Sequence, residues 1–239
     1  MSDTKKTGLT CAGDVDVESL TIISATGTKL DVKDYLVELN LYEDLFSNAL
    51  YGTIQLSDSR NLLKELPIIG NEVLIVKVKT PSFTKSIDKQ FRIYSITDRS
   101  IVRDQSTQLY TLHFCSQEVI NDSITPLYKS FNGRIDEVVK KIYDDYLKSP
   151  RTYNITPSEA KPVSTPTQLK IINTTQNSVK FVSPGWSPFK CINWLASKSI
   201  PSSGNACNYL FWETTQAFYF GSVETIFDAN NSTSLNNMG

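Results

Sequence analysis

Residues 37–78 read VELNLYEDLFSNALYGTIQLSDSRNLLKELPIIGNEVLIVKV, and this stretch decides the fold. Val37, Leu39 and Leu41 alternate with Glu38, Asn40 and Tyr42, the period of a half-buried strand. The alternation breaks at a corner running from Glu43 to Tyr51. It resumes with Ile54 and Leu56 set between Thr53, Gln55 and Ser57, which predicts a second strand. A short helical turn follows. Glu72 to Lys79 is then a near-continuous apolar run, the mark of a strand covered on both faces. None of this carries chemistry. The stretch predicts a protein whose product is a shape or an interface.

Outward from this stretch, the pattern stays strand-like up to residue 116. Residues 1 to 17 are polar and read as a flexible arm. Leu20 to Ile23 form a first strand, followed by a turn at Thr26-Gly27. Gln90–Ile96 and Gln108–Ser116 are two more strands, with the polar run Asp98–Ser106 as their hairpin loop. In the last strand Tyr110, Leu112 and Phe114 share a face that suits a core. Thr111, His113 and Cys115 share the other, which is mixed enough to face solvent, a lumen or a neighbouring subunit.

The period changes after residue 117. Ile135, Val138, Val139, Ile142, Tyr143, Tyr146 and Leu147 follow helical spacing. Asp136/Lys140, Glu137/Lys141 and Asp144/Lys148 are acid-before-base pairs on the opposite face. Asn132 reads as the N-cap and Pro150 as the stop. Residues 149–185 are rich in Pro, Thr and Ser, with a strand at Gln168–Ile172. Ser187-Pro188 opens a second helix with Phe189, Ile192, Leu195 and Ala196 as its buried stripe, ended by Pro201. Tyr209–Glu213 and Ala217–Gly221 make an aromatic hairpin. The tail is polar, as where an ordered region runs out.

Composition narrows the function. The chain has 239 residues, 40% hydrophobic and 21% charged, with a net charge of −1. It therefore lacks the basic field that draws a protein to nucleic acid or to anionic membranes. No apolar run approaches the roughly 20 residues of a membrane span, and the N-terminus lacks the apolar core of a signal peptide. A soluble protein made in a cytoplasm is expected. Cys11, Cys115, Cys191 and Cys207 have no metal or redox spacing. They read as buried or incidental thiols; a Cys191–Cys207 disulfide conflicts with a cytosolic origin. His113 is the single histidine and stands mid-strand, so any triad or His-based metal site would have to use it. The glycines are scattered and form no phosphate loop. No catalytic residue, metal site or cofactor is assigned. Glu43, Asp44, Glu137, Asp144 and Asp145 read as solvated surface. The aromatic hairpin is the one candidate carbohydrate platform.

The residues quoted first also resemble a family. Glu43-Asp44-Leu45-Phe46, Tyr51-Gly52-Thr53-Ile54-Gln55-Leu56, Asp58-Ser59-Arg60-Asn61-Leu62-Leu63 and Pro67-Ile68-Ile69-Gly70-Asn71-Glu72 resemble the first domain of the central baseplate hub proteins of contractile-tailed phages. These are related to the hub part of bacterial contractile secretion spikes. The order of elements agrees over most of residues 18–228, Trp186-Ser187-Pro188-Phe189 included. The resemblance implies a mainly β, α+β fold: a tail-tube-like antiparallel β-barrel over 18–116, then an α+β insertion domain over 117–228. The latter has helices near 133–148 and 188–199 and a hairpin near 209–221. Residues 229–239 are a polar tail.

The resemblance also implies a structural virion protein of the tail baseplate, assembled in the host cytoplasm. It would be a homotrimer joining tail tube proteins to a central spike protein, with the tape-measure protein and baseplate wedge proteins as neighbours. Family members carry a second tube-like barrel. None follows here, so the chain reads as the front of a longer protein or as a reduced hub. Three alternatives stay open: a tail-tip protein of a non-contractile phage, a spike hub of a contractile secretion system, and a tail-associated peptidoglycan hydrolase. A tube barrel must keep strand edges open for its neighbours. The corner then offers Leu45, Phe46, Leu50 and Tyr51 to a subunit interface, or returns them to the barrel's own core.

Overall fold

The computed structural model describes residues 15–25, 27–65, 70, 72–80, 86–101, 107–148, 168–203 and 207–227. The expected arm up to residue 14, most of the Pro-rich connection, residues 102–106 and the tail from 228 lie outside the described residues. Asp16 and Val17, read as arm, already belong to the first strand.

Seven strands build one antiparallel sheet. They are β1 (Asp16–Ile23), β2 (Lys29–Asp31), β3 (Leu36–Tyr42), β4 (Tyr51–Asp58), β5 (Val73–Lys79), β6 (Ile87–Ile101) and β7 (Gln108–Ser116). Their spatial order is β2-β1-β5-β6-β7-β4-β3. The two edge strands, β2 and β3, are thus neighbours in sequence, separated by Val32 and a 3-10 turn at Lys33–Tyr35. Five peptide steps from Asp31 to Leu36 reach at most about 19 Å. A flat seven-stranded sheet would hold its edges about 29 Å apart. The sheet is therefore rolled, a curled half-barrel whose edges are tied at one end by covalent chain. Val32 is buried in that link and donates its N–H to the Leu20 carbonyl at 2.8 Å.

The rolled sheet encloses a core that includes Leu20, Ile54, Leu74, Phe91, Leu112 and Phe114. In β4 the inward positions are Gly52, Ile54, Leu56 and Asp58. A Cβ on Gly52 would run into the Phe114 ring and the Asn40 carbonyl, so the ring's approach to bare backbone requires glycine. β5 is covered on both faces as expected: Leu74, Val76 and Val78 face the core, while Val73 and Ile75 bury with Ile23. In β3 the phase differs from the sequence pattern. A bulge between Leu36 and Glu38 turns Val37 outward and packs Leu36, Leu39 and Leu41 on the core. The strand β6 runs on to Ile101, past the expected loop start at Asp98. Asp98 instead takes a left-handed φ of 54° at an irregularity between Thr97 and Ser100.

The two turn motifs of the first stretch have clear causes. Asp58 is buried; its Oδ1 accepts the Arg60 N–H at 3.0 Å and its Oδ2 the Leu62 N–H at 2.6 Å. That cap starts the helical turn α1 (Leu62–Glu65). Asn61 takes φ 60°, a left-handed geometry that asparagine tolerates. Gly70 takes φ 91° and donates its N–H to the buried Glu72 carboxylate at 3.0 Å.

The second half packs helices on two small sheets. Its elements are α2 (Gln117–Ile124), β8 (Ser130–Arg134), α3 (Ile135–Ile142), β9 (Leu169–Ile171), β10 (Ser178–Val182), α4 (Pro188–Ala196), β11 (Tyr209–Glu213), β12 (Phe218–Ser222) and α5 (Val223–Phe227). β8 pairs with β10; β12 lies between antiparallel β11 and parallel β9. Their common core joins α3, α4 and the hairpin aromatics. The first helix forms its expected stripe, with two corrections. Asn132 is not its cap but a β8 residue paired with Lys180; Arg134 occupies the cap position. The helix also widens into a π-helical turn at Tyr143–Leu147. Asp136 does not face Lys140: its buried carboxylate takes Arg134 and the Thr175 hydroxyl, at 2.8 and 2.7 Å. Of the three acid–base pairs, Asp144–Lys148 forms, at 3.6 Å. The second helix ends at Ala196, ahead of Pro201. The strands β2, β8 and β10 and the helices α2 and α5 have no counterpart in the sequence reading.

Candidate interface surface

The corner between β3 and β4 is built by local polar bonds. Asp44 Oδ1 accepts the Phe46 N–H at 2.9 Å, and the Asp44 carbonyl accepts the Ser47 N–H at 3.1 Å. This Asx turn reverses the chain. The Ser47 hydroxyl then donates to the Ala49 carbonyl at 2.8 Å. The result is a rigid loop with Phe46 at its tip.

The second half of the chain grips the same loop. The Glu43 carboxylate, read as solvated, accepts the Thr215 N–H. The side-chain amides of Asn48 and Asn193 exchange two hydrogen bonds, at 2.9 and 2.8 Å, and Asn48 Nδ2 also donates to the Phe211 carbonyl at 2.9 Å.

This docking sorts the four candidate interface residues. Leu50 is a core residue with 0% exposure, because the backbone turns inward just before β4. That corrects its assignment to a subunit interface. Leu45 is half-buried against Trp212, Ala217 and Tyr219 of the hairpin. Phe46 is 79% exposed and Tyr51 is 39% exposed. Sequence alone did not separate the two pairs, since the partner surface for Leu45 comes from 167 to 174 residues further along. Two exposed residues were not singled out: Tyr42, which stands opposite Tyr51 in the register, and Val37 on the same strand.

The strand carrying Val37 and Tyr42 is an edge. Among the described residues β3 pairs with β4 and on its other side with nothing. Among the described residues its outer edge thus takes no partner strand, and exposed Val37, Glu38 and Tyr42 flank it.

Behind the corner lies a buried charged joint. Lys89 shares the inward face of β6 with Phe91 and Ile93. Its ammonium pairs with Glu213 Oε1 and donates to the Thr214 carbonyl at 3.3 Å. Glu213 Oε2 accepts the Leu50 N–H at 2.8 Å. Both charged side chains are nearly inaccessible, at 8% and 0% exposure. The sequence signal was present: a lysine in the apolar phase of a strand and a single carboxylate ending the aromatic run Tyr209–Trp212.

The remaining chemical candidates are structural in character. His113 Nε2 lies 2.8 Å from the Thr97 hydroxyl, which in turn donates to Asp98 at 2.9 Å. The hydroxyl stands between base and acid, so the carboxylate does not orient the imidazole as a triad requires. The hairpin aromatics Tyr209, Phe211, Trp212, Phe218, Tyr219 and Phe220 are all buried, which removes them as a carbohydrate platform. Cys115, Cys191 and Cys207 are free thiols; Cys11 lies outside the described residues. Among the described residues no cluster of His, Cys, Asp or Glu has metal-binding form, and no helix is long and apolar enough to cross a membrane.

No family model and no curated protein matches the chain. Among solved structures, a tail protein from Neisseria meningitidis MC58 is similar at 11% identity and a TM-score of 0.49, over 86% of this chain and 51% of its own. The 43 kDa tail protein of prophage MuSo2 from Shewanella oneidensis is similar at 10% identity and a TM-score of 0.47, over 85% and 54%. An E. coli component of the type VI secretion system, itself structurally similar to the T4 bacteriophage tail proteins gp27 and gp5, matches at 9% identity and 0.45, over 87% and 49%. The chain thus spans about half the length of these structures.

Proposed function

We propose that this chain is a non-enzymatic structural subunit of a phage tail: a baseplate hub component that assembles as a homotrimer and joins the tail tube to the central spike. In this reading residues 18–116 are the tube-like barrel domain and 117–228 the α+β domain. The partners are two further copies of the chain, tail tube proteins and the spike protein, with tape-measure and wedge proteins adjacent, all within the virion tail.

The observation that carries the reading is the open edge of β3. Unpaired strand groups template a neighbouring strand, and natural proteins usually block such an edge with charge, proline or a covering element. Here the strand carries one exposed charge, Glu38, and is otherwise flanked by Val37 and Tyr42, both more than half exposed, with Tyr51 beside it and Phe46 at the corner that follows. A strand from a second copy would cover both the backbone groups and the apolar side chains.

The test is the mass of the purified chain in solution, followed by imaging. A ring-forming trimer is expected. Phe46→Asp should dissociate it with the circular dichroism spectrum unchanged, since the side chain touches solvent. Leu50→Asp should unfold the barrel. A monomer at micromolar concentration with no ring would overturn the proposal.

A further inference from the structure

Segment 43–49 lies between the two halves of the chain, and they hold it unequally. Its internal bonds, from the Phe46 and Ser47 N–H groups to Asp44 and from the Ser47 hydroxyl to the Ala49 carbonyl, shape the turn without placing it. Among the described residues, every hydrogen bond that leaves the segment runs to the second half: Glu43 accepts from Thr215, and Asn48 joins Asn193 and Phe211. Leu45 packs on Trp212, Ala217 and Tyr219 of that half. The next residue, Leu50, donates its N–H to Glu213 at 2.8 Å. The barrel holds the corner at its ends, through the Tyr42–Tyr51 strand pairing, the buried Leu50 side chain and the Ser116 N–H, which donates to the Leu50 carbonyl at 3.0 Å. The path of the corner between those ends is set by the second half.

We propose that the corner and the rim it meets, residues 211–215 with Asn193 of α4, form a clasp that opens and closes as one unit, and that Asn193 is thereby a positioning residue for Phe46. The clasp stands on these contacts; its part in assembly rests on the hub reading. Opening breaks five hydrogen bonds and uncovers Leu45 together, because all the partners belong to one half. Such a set opens as a local unit, well below the cost of global unfolding. Closed, the clasp keeps Leu45 inward and leaves Phe46 at the exposed tip. Open, nothing distinguishes the two adjacent apolar side chains. A neighbouring copy that binds the closed corner therefore also tightens the joint between the two halves of the chain it binds. The joint in turn raises the fraction of chains able to bind.

The Thr215 and Leu50 amides flank the clasp, and their hydrogen exchange reads its opening in the full chain at a concentration below assembly. Asn193→Ala removes both bonds of the Asn48–Asn193 pair. Exchange at Thr215 and Leu50 should rise together, by about fivefold, while the Ile54 and Leu112 amides of the barrel stay as in the wild type. Asn48→Ala also loses the Phe211 bond and should raise exchange further; adding Asn193→Ala to it should change nothing more. An unchanged Leu50 amide in Asn193→Ala, or unequal rises at the two amides, would overturn the clasp whatever the oligomeric state. Mass measured alongside judges the hub reading separately: a chain monomeric at every concentration fails that reading and leaves the clasp to be decided by the variants. Where the chain assembles, both amides should exchange more slowly in the assembled form, and equal exchange would overturn the coupling.

Discussion

Glu213 accepts the backbone N–H of Leu50 at 2.8 Å, across 163 residues of chain. The bond ties the last residue of β11 to the residue just before β4. The other carboxylate oxygen holds the Lys89 ammonium, so one side chain satisfies a strand amide and a buried cation together. It is the reason the corner carrying Phe46 has a defined position relative to both halves.

Removing that carboxylate should be costly. Glu213→Ala strands the Lys89 ammonium in the interior and leaves the Leu50 amide unpaired. A loss of about 3–5 kcal/mol is expected for a broken buried pair, read from urea unfolding. Lys89→Met combined with Glu213→Leu should recover much of it, because no charge is then left without a partner.

Gly52→Ala tests the close approach inside the barrel. The added Cβ meets the Phe114 ring and the Asn40 carbonyl. Overpacking of this kind costs about 1–3 kcal/mol, measurable as a lower thermal midpoint. Phe114→Leu in the same chain should relieve only part of the clash, since the Asn40 obstacle is backbone.

Acid should act through Asp136. Burial raises its carboxyl, but the Thr175 hydroxyl and the Arg134 guanidinium outweigh that and hold it below the ordinary aspartate value. A group with a depressed folded value contributes stability above its unfolded value and loses it as pH falls through the folded one. Asp136→Asn should therefore be less stable than wild type at neutral pH, by about 1 kcal/mol. The gap should close on acidification below the ordinary aspartate range. A gap unchanged by pH would exclude this origin.

The thiols should separate by reactivity. Cys207 is exposed. Cys115 and Cys191 are buried, and burial pushes both thiols up, Cys115 to about 12. Iodoacetamide in mildly alkaline buffer should alkylate Cys207 in the native protein and reach the other two only after denaturation, as peptide mass mapping would record.

Much of the fold was legible because it rests on local rules. Alternation in 53–57 and 110–114 places Ile54, Leu56, Tyr110, Leu112 and Phe114 inward, as found. Asp58 and Glu72 make their turn-forming bonds to N–H groups two to four residues away, and Asn61 and Gly70 supply the left-handed geometry of the same turns. Ser187 accepts the Lys190 N–H at the start of α4, again a bond of short reach. Such features depend on the chain's own period and backbone preferences, which the sequence carries in full.

What depended on tertiary structure was the fate of side chains whose partners lie far along the chain. Leu45 and Phe46 are adjacent apolar residues, yet one packs on Trp212 and the other faces water. Glu43 stays exposed as read, yet its carboxylate accepts the Thr215 N–H from 172 residues along the chain. Lys89 and Glu213 are separately unremarkable charges, and only folding brings them into one dry joint. The sequence by itself determined the longer strands of the sheet, the turn motifs and most of the inward faces, because these follow from steric and hydrophobic periodicity. Only the tertiary structure decided which side chain of the corner stays exposed and which carboxylate pairs with the buried Lys89, because burial and charge pairing depend on what else occupies the same space.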